Sequence, residues 1–469
     1  MVAHELMRAA PAIAPVLDRA TMEFSLKQIG EVLGVAVQHD AEITGWSTDT
    51  RTIIPGDLFF ALRGPNFDGN VFVEAALSKG AAAAIANENA KNDPRILVVA
   101  DTLEALQRLA TWARNEWAGE VVGVTGSAGK TSTKDIIAAM LSVAMPVGKS
   151  IGNLNNHVGV PLSLLRLPRE ARVAVIELAM NHAGEIQHLS TIARPQIGVV
   201  TNVGHAHIEA FDSIEGIARA KRELIEALPP DGVAVLNADD PLVARFREVH
   251  PGRSVTFGLG EGAGVRAHNV EFTGQGLCFQ VDGVRFESPL IGRHNLLNLL
   301  AGIAVAGLFG IHPRQLQEVV KQFTTGPMRG ERFLHHGILI FNDCYNSNPD
   351  AARAMIDVLR DTPAKRRIAV LGEMLELGRW AGSLHREVGR YVASSGIDVL
   401  VGIRGEACHL VDAAKEAGQA VDAAFFFSDP AQAGVELRHI VQPGDVILFK
   451  GSRGTHVERA LERFLASAS

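Results

Sequence analysis

Apolar and polar residues alternate in blocks along the chain, and the blocks predict a repeating order of strand and helix. Between residues 118 and 326, short apolar runs read VVGVTG, VAVIELAMN, IGVVTNVG and GVAVLNADD. Each run ends in polar or glycine residues and precedes a segment with helical spacing of apolar positions. Buried strands that alternate with helices are typical of a parallel sheet covered by helices. The ligand crevice of such a sheet lies at the carboxyl ends of its strands.

The same pattern predicts one α/β block before this sheet and one after it. In the first, FSLKQIGEVLGV begins as an amphipathic helix, GAAAAIA and RILVVAD read as a helix end and the strand after it, and TLEALQRLATWARNEW reads as a helix. In the last, strands restart with ILIFNDCYNSNP, RIAVLGEM, DVLVGI, AFFFSDP and DVILFKGSRG. We therefore expect an α/β protein with an extension over 1–20, a small α/β domain over 21–117, a central parallel-sheet domain over 118–326 and a Rossmann-like domain over 327–469.

Composition and charge narrow the class of protein. A chain of 469 residues suits several domains of about 150 residues each. The net charge of -7 argues against binding to nucleic acid, which favours a basic surface. Cys278, Cys344 and Cys408 are far apart and lack metal-ligand spacing, which fits a reducing cytosol. These totals predict a cytoplasmic protein that does not bind nucleic acid.

Two apolar stretches raise the question of a membrane. The first twenty residues contain prolines and Glu5, so we expect a flexible extension rather than a secretion signal. The stretch from Leu299 to Ile311 is shorter than the roughly 18 apolar residues that a spanning helix needs. We interpret it as a buried core helix and expect no membrane insertion.

The segment VGVTGSAGKTS resembles a phosphate-binding loop, although Val124 stands where the common pattern G-x-x-x-x-G-K-[ST] has glycine. It follows an apolar strand and opens a helix, so Gly126 and Gly129 can turn backbone N–H groups toward an anion. Lys130 suits the β and γ phosphates, and the Thr131 hydroxyl suits Mg²⁺. The alternative is a glycine-rich turn that only caps a helix.

Three further strand ends or helices carry candidate metal ligands. Glu177 ends the strand VAVI and suits a metal beside the phosphate loop, although a solvated rim carboxylate is the alternative. His205 and His207 would point the same way in an extended segment, which makes at least one of them a candidate ligand, with a surface role as the alternative. Lys221 lies on the helix SIEGIARAKRELIEALP, where periodicity alone indicates a solvated lysine.

Nine motifs together resemble the Mur ligases, ATP-dependent enzymes that build the peptide of bacterial peptidoglycan. They are VTGSAGKTST, GNLNNHVGVPLSLLRL, VIELAMNHAGEI, TNVGHAHIEAF, ARAKREL, LNADD, GRHNLLNLLAG, DCYNSNP and LGEMLELG, and the resemblance covers nearly the whole chain after the first twenty residues. The family loop is of the type T-G-x-x-G-K-T, so Val124 is no departure from it. The resemblance implies a ligase that joins D-alanyl-D-alanine to UDP-N-acetylmuramoyl-tripeptide. We expect a monomer, although the sequence leaves the oligomeric state open.

The resemblance also implies roles for individual residues. The expected ATP contacts are Gly126, Ser127, Ala128, Gly129, Lys130, Thr131, Ser132, Asn295, Asn298, Arg332 and Asp343. Two Mg²⁺ ions are expected at Thr131, Glu177, His207 and Lys221, with His205 close by. Lys221 matches a lysine that many members carry as a carbamate, and Lys130, Lys221 and His207 are the expected catalytic residues. The expected substrate contacts are Ser47, Asp49, Arg51, Asn66 and Asp68 in the UDP-binding domain, and Tyr345 and Asn346 in the C-terminal domain.

Alternatives remain for some of these roles. Asp49 and Arg51 could form a surface pair, and Tyr345 and Asn346 could serve only the turn in which they lie. The chemistry implied by the family proceeds through an acyl phosphate and needs no side-chain nucleophile, so Cys344 is not expected to be catalytic. The rival functions are the Mur ligase that adds lysine or diaminopimelate as third residue, folylpolyglutamate synthase, and a nucleotide-binding switch without ligase activity.

Overall fold

The computed structural model describes residues 21–88, 92–273 and 276–466. The expected N-terminal extension over 1–20 lies outside these residues. The chain divides into two compact units, one formed by the chain up to Gly119 with His157–Arg172, the other by Glu120–Asn156 with the chain from Val173 onward. The segment His157–Arg172 thus leaves the stretch predicted for the central domain and joins the first unit. The three predicted domain boundaries remain a prediction.

The first unit is built on a four-stranded parallel sheet in the order β3-β4-β7-β8. Its strands are β3 (Gly45–Ser47), β4 (Asp57–Phe60), β7 (Ala83–Ala86) and β8 (Ile96–Val98). Two short antiparallel pairs accompany it: β1 (Phe24–Ser25) with β2 (Glu42–Ile43), and β5 (Arg63–Gly64) with β6 (Phe67–Asp68). Its helices are α1 (Leu26–Leu33), α2 (Val73–Ser78), α3 (Thr102–Glu116), α5 (Gly159–Leu165) and a 3-10 helix at Gly69–Phe72.

The prediction of a helix end at GAAAAIA is wrong. Ala83–Ala86 forms β7, which pairs with β4 on one side and β8 on the other and is fully buried. Alanine has the highest intrinsic helix propensity, but propensity is a weak predictor, and the tertiary setting of a central, buried strand overrides it here. The helix before it, α2, ends at Ser78.

The segment His157–Arg172 is tied to the end of α3. The indole Nε1 of buried Trp117 donates to the carbonyl of Ala171 across 2.8 Å. The guanidinium of Arg166 donates to the carbonyl of Trp46, with Nε at 3.0 Å. Long-range hydrogen bonds of this kind leave no periodic trace in the sequence, which explains why the pattern assigned this segment to the neighbouring domain.

The second unit contains a seven-stranded parallel sheet in the order β10-β11-β9-β12-β13-β14-β15. The strands are β9 (Glu120–Thr125), β10 (Val147–Lys149), β11 (Val173–Glu177), β12 (Ile197–Val200), β13 (Val233–Asn237), β14 (Arg253–Gly258) and β15 (Val265–Arg266). The expected parallel sheet is confirmed. Because β9 lies between β11 and β12, the loop after β9 faces the carboxyl ends of both neighbours.

Helices accompany this sheet, and a separate small antiparallel sheet follows its last strand along the chain. The helices are α4 (Lys130–Leu141), α6 (Glu185–Ala193), α7 (Ile214–Glu226), α8 (Pro241–Ala244), α9 (Arg293–Leu308) and α10 (Gln317–Lys321), with 3-10 helices at Ile208–Ala210, Arg245–Val249 and Pro313–Leu316. The antiparallel sheet consists of β16 (His268–Thr273), β17 (Gly276–Val281) and β18 (Val284–Ser288).

Helix α9 is the core helix that its apolar sequence predicts. Leu296, Leu299 and Leu300 are fully buried, and α9 packs against α4. This packing holds the first turns of α9 beside the loop that opens α4. Within the described part of the chain, no helix is long and apolar enough to cross a membrane.

The C-terminal part of the second unit has a six-stranded sheet in the order β19-β20-β24-β21-β22-β23. The strands are β19 (Glu331–His335), β20 (Ile338–Asp343), β21 (Arg367–Gly372), β22 (Val399–Ile403), β23 (Ala424–Phe427) and β24 (Val446–Lys450). The helices are α11 (Pro349–Asp361), α12 (Ala381–Ser394), α13 (Ala407–Glu416), α14 (Pro430–Ile440) and α15 (Glu458–Leu465), with 3-10 helices at Gly378–Trp380, Val421–Ala423 and Arg453–Thr455. Only β19 is antiparallel to its neighbour, so the expected α/β class is confirmed.

Candidate nucleotide and metal site

The loop between β9 and α4 has the backbone geometry of an anion cradle. Gly126 and Gly129 have φ angles of 153° and 80°, which side-chain-bearing residues rarely adopt. A Cβ added at Gly129 would lie 2.7 Å from the Asn298 Oδ1 atom. Val124, the residue that breaks the common pattern, is fully buried within β9 and takes no part in the turn. The two glycines therefore make the turn, and the first N–H groups of α4 face the loop.

Hydrogen bonds to the segment after β12 fix the loop in place. The Ser127 hydroxyl donates to the Gly204 carbonyl across 2.9 Å, and the Ala128 N–H donates to Asn202 Oδ1 across 2.8 Å. The Lys130 ammonium donates to the Gly126 carbonyl across 2.8 Å, so it lies over the loop. Burial lowers the pKa of Lys130. These hydrogen bonds hold the loop in its cradle conformation, with the Lys130 side chain lying over it.

Glu177 lies at the end of β11, directly beside the start of α4. Its side chain is buried, and Oε2 accepts a hydrogen bond of 2.9 Å from the Thr131 hydroxyl. The Nδ2 group of Asn155 donates to Oε1 across 2.8 Å. Both donors are neutral, so the negative charge of this carboxylate is not compensated by its hydrogen-bond partners. A buried anion of this kind suits a cation.

The two histidines after β12 face different partners. His207 has a φ of 61°, so the segment is not extended, and the prediction that both side chains point the same way is wrong. His207 Nδ1 lies 2.6 Å from Glu376 Oε2, whereas His205 Nδ1 lies 3.1 Å from Asp350 Oδ2. The contact with Asp350 raises the pKa of His205. Of the two histidines, only His207 lines the cleft beside the phosphate loop.

Lys221 is not the solvated lysine that helix periodicity indicates. Its side chain on α7 is 2% exposed. Burial, with a smaller effect of the Lys130 charge, holds the pKa of its ammonium well below the usual range. A lowered pKa favours the neutral form of the amine, and a neutral amine can react with carbon dioxide.

The first turns of α9 supply amides to the other side of the loop. Asn298 Oδ1 accepts from the Thr133 hydroxyl across 3.0 Å, and its Nδ2 group donates to Asn295 Oδ1 across 3.2 Å. His294 precedes them, and its buried Nδ1 atom has no hydrogen-bond partner. Burial lowers the pKa of His294, so its imidazole is held neutral.

The C-terminal sheet contributes charged and aromatic groups. Lys450 is buried on β24 and donates to Asp343 Oδ2 across 2.6 Å and to the Asn346 carbonyl across 2.9 Å. The guanidinium of Arg329 stacks on the Tyr345 ring, 3.7 Å from its centroid. Arg332 lies on β19, paired with Phe341. These contacts fix the loop after β20, in which Tyr345 and Asn346 lie.

A cleft of about 560 Å³ brings most of the predicted site residues of the second unit together. The predicted residues that line it are Ser127, Ala128, Gly129, Lys130, Thr131, Ser132, Glu177, His207, Asn295, Asn298, Asp343, Tyr345 and Asn346. The predicted or nearby residues outside its lining are Gly126, His205, Lys221 and Arg332. Arg329, three residues before Arg332, does line the cleft and is therefore better placed than Arg332 to contact a ligand there.

The residues predicted to contact UDP lie in the first unit. Ser47 is buried and bonds the backbone N–H of Asp49, which in turn pairs with Arg51 at 2.6 Å. Asp68 caps the 3-10 helix at Gly69–Phe72 through the Asn70 N–H, while Asn66 is exposed. Arg51 is 86% exposed, so its side chain is accessible to a ligand. Their role in binding remains a prediction.

The residues of the cleft fit a magnesium nucleotide. Within residues 21–88, 92–273 and 276–466, no group of three or more His, Cys, Asp or Glu side chains could hold a metal ion by itself. Mg²⁺ does not need such a cage, because it binds through one or two carboxylates together with waters and phosphates. The carboxylate of Glu177, whose hydrogen-bond donors are neutral, and the Thr131 hydroxyl beside a phosphate cradle have this character.

Some residues that line or support the cleft are not among those that the sequence predicts. Asn155 donates a hydrogen bond to Glu177. Lys134 is only 1% exposed and donates to the carbonyls of Ser150 and Gly152, in the loop that also contains Asn155. Asn155 lies in GNLNNHVGVPLSLLRL and Glu376 in LGEMLELG, two motifs that carry the family resemblance without indicating a role for either residue. For Lys134, the available signal was its position one helical turn after Lys130.

Fold and site together define a class of protein: a P-loop α/β protein whose phosphate loop shares a cleft with a second α/β sheet. Three family models match the chain: the Mur ligase middle domain over residues 124–306, the Mur ligase, glutamate ligase domain over 328–453, and the catalytic domain of the Mur ligase family over 42–139. The chain belongs to the Mur ligase family.

Individual relatives resemble the chain over almost its full length. It is 37% identical to the UDP-N-acetylmuramoyl-tripeptide–D-alanyl-D-alanine ligase of Synechocystis sp., covering 92% of this chain and 94% of that enzyme. The structure of MurF from Acinetobacter baumannii is similar with a TM-score of 0.87 and 31% identity, covering 95% of this chain and 99% of the other. MurF ligase from Thermotoga maritima in complex with ADP is similar with a TM-score of 0.79 and 31% identity, covering 90% and 96%.

Proposed function

We propose that this chain joins D-alanyl-D-alanine to UDP-N-acetylmuramoyl-tripeptide, using ATP, in the synthesis of a peptidoglycan precursor. The observation that carries the proposal is the full-length similarity to a ligase of that name at 37% identity. The similarity to an ADP complex at 31% identity supports an adenine nucleotide as the second ligand. The cleft beside the phosphate loop is consistent with both.

The reaction has two steps. A carboxylate oxygen of the tripeptide attacks the γ-phosphorus of ATP, the bond to the β-phosphate oxygen breaks, and ADP leaves. The amine nitrogen of D-alanyl-D-alanine then attacks the carbonyl carbon of the acyl phosphate, phosphate leaves and the amine loses a proton. Because carboxylate and ATP are both negative, the protein must chiefly neutralise charge and align the reactants.

The residues of the cleft suit these tasks. Lys130 and the first N–H groups of α4 would bind the phosphates, and Asn295 and Asn298 would bind near the adenine. Mg²⁺, when bound, neutralises phosphate charge and orients the reacting oxygens. Thr131, Glu177, His207 and a carbamate on Lys221 would hold two such ions. The neutral state that burial favours for Lys221 supports the carbamate.

The remaining candidates have roles at the ends of the substrates. Ser47, Asp49, Arg51, Asn66 and Asp68 would bind the UDP-sugar, with the Arg51 guanidinium as a planar fork for the diphosphate. Tyr345 and Asn346 would contact substrate in the cleft. Cys344 does not take part, because its side chain is buried and burial raises the pKa of its thiol.

The test is a ligation assay with each component omitted in turn. Purified protein receives ATP, Mg²⁺, UDP-N-acetylmuramoyl-tripeptide and D-alanyl-D-alanine, and phosphate release and ligated product are measured together. We expect both to require all four components. Product from UDP-N-acetylmuramoyl-dipeptide with lysine or diaminopimelate would favour the third-residue ligase instead. Nucleotide binding without any product would favour a switch.

A further inference from the structure

Glu376 connects the C-terminal sheet to the central site. It lies in the loop after β21, and its Oε2 atom approaches His207 Nδ1 to 2.6 Å. The same loop is fixed through the backbone, because the Glu209 N–H donates to the Glu376 carbonyl across 3.2 Å. Two contacts, one of side chains and one of backbone, therefore hold Glu376 against the segment that carries His207.

The backbone at both residues is unusual. His207 has a φ of 61° and Glu376 a φ of 62°, values in the left-handed region that residues with a Cβ seldom occupy. Such conformations persist where the surroundings fix them, and they concentrate at functional sites. Here the two conformations aim an imidazole and a carboxylate at each other.

The chemical consequence concerns the two nitrogens of the imidazole. A carboxylate at Nδ1 favours the tautomer that carries its proton on Nδ1, which leaves the lone pair of Nε2 free for a cation. His207 lines the cleft that also contains Thr131 and Glu177.

We propose that Glu376 is a positioning residue that fixes the His207 imidazole as an Nε2 ligand for a divalent cation. The affinity of the site beside the phosphate loop for a metal ion then depends on the loop after β21, which carries Glu376. The inference rests on the proposed function only in taking His207 as a metal ligand. It assigns Glu376 no contact with the substrate.

The test uses the full chain labelled with ¹⁵N-histidine and has two readouts. The first is the tautomer of His207, read from the long-range proton couplings of its nitrogens without metal and assigned by the loss of signal in His207→Ala. The second is binding of Mn²⁺ in the presence of ADP, followed by electron paramagnetic resonance, in which ¹⁵N coupling reports a histidine ligand. Neither readout requires turnover.

The variants separate position from charge. We expect His207 to populate both tautomers in Glu376→Gln. We also expect the affinity for the Mn²⁺ ion that shows ¹⁵N coupling to histidine to fall by about 10- to 100-fold. Glu376→Asp keeps a carboxylate on a shorter side chain, so we expect a smaller loss of Mn²⁺ affinity than in Glu376→Gln. Glu209→Gln removes the same charge from an exposed side chain two positions from His207, and it should leave both readouts at the wild-type values.

Two results would overturn the inference, and they can be told apart. If His207→Ala weakens Mn²⁺ binding while Glu376→Gln leaves the tautomer and the affinity unchanged, His207 is a ligand that Glu376 does not position. If His207→Ala itself leaves Mn²⁺ binding and its ¹⁵N coupling unchanged, His207 is not a ligand, and the metal assignment in the proposed function fails with the inference. Glu376→Asp provides the same comparison if Glu376→Gln does not fold.

Discussion

The Thr131 hydroxyl donates to Glu177 Oε2 across 2.9 Å and thereby joins the first turn of α4 to the end of β11. Because β11 is the direct neighbour of β9, this contact places a buried carboxylate beside the phosphate loop. The Asn155 amide holds the other oxygen. The relationship makes the charge of Glu177, rather than its size, the property on which cation binding depends.

Glu177→Gln keeps the volume of the side chain and removes its charge. We expect kcat for ligation to fall by at least about 100-fold, because Mg²⁺ loses its buried carboxylate, while the midpoint of thermal unfolding changes little. Glu226→Gln is the matched control, since it removes the same charge from the exposed end of α7. A kcat within about threefold of the wild-type value in Glu177→Gln would argue against a metal role.

Lys221→Met removes the amine and keeps an unbranched side chain in the buried position. We expect ligation to be lost, since methionine cannot form a carbamate, and thermal stability to be kept or raised, since the buried amine is costly. Lys221→Ala should also lose ligation while it keeps the fold. Wild-type protein stripped of carbon dioxide should lose activity and regain it with bicarbonate. Near-normal turnover in either variant would exclude the carbamate.

Arg51→Met tests whether the pair with Asp49 binds UDP or only stabilises the surface. Arg51 holds the pKa of Asp49 at about 2 through its hydrogen bonds, and Arg95 does the same for Asp93. Exposed pairs of this kind contribute only about 0–1 kcal/mol to stability. We therefore expect little loss of stability and a KM for the UDP-linked peptide raised by about 10-fold or more, with the KM for ATP unchanged.

Arg95→Met is the control for that experiment. Arg95 and Asp93 have the same sequence spacing as Arg51 and Asp49 and the same contact of 2.6 Å between Nη2 and Oδ2. The control should leave both KM values unaltered. Equal KM values in the two variants would mean that the pair at Arg51 is structural.

The three cysteines should differ in reactivity. Cys344 is buried, its Sγ donates to the Phe449 carbonyl, and burial raises the pKa of its thiol, so little thiolate forms. Cys278 and Cys408 are partly exposed. We expect a thiol reagent at about pH 8 to modify Cys278 and Cys408 in the native protein, and Cys344 only after unfolding. Rapid modification of Cys344 with loss of ligation would contradict the mechanism.

Sequence pattern predicted those parts of the protein that depend on short segments. The strands of both large sheets follow apolar runs, and the ends of β9 and β11 supply Lys130, Thr131 and Glu177, each within a few residues of its strand. Their proximity follows from the rule that parallel strands end at one edge of a sheet. The phosphate loop and the carboxylate of Glu177 could be predicted because each depends only on residues close to it in sequence.

Other features depend on partners that lie far away in the chain. The spacing of α7 predicts which residues share a face, but not that Lys221 is covered, because covering depends on the neighbouring elements. The spacing of His205 and His207 does not predict the turn at His207, since nothing near it in sequence signals the contact with Glu376. Ala83–Ala86 is a strand because it pairs with β4 on one side and β8 on the other, partners that its own sequence does not indicate.

The pairing of α4 with α9 also determines when during synthesis the site can exist. The Thr133 hydroxyl of α4 and its acceptor Asn298 on α9 are 165 positions apart. At about 5–20 residues per second, the ribosome needs on the order of ten seconds or more to make the intervening chain. Throughout that time, the apolar face of α4 lacks its native cover. The nucleotide site is therefore expected to be completed only after α9 has emerged from the ribosome.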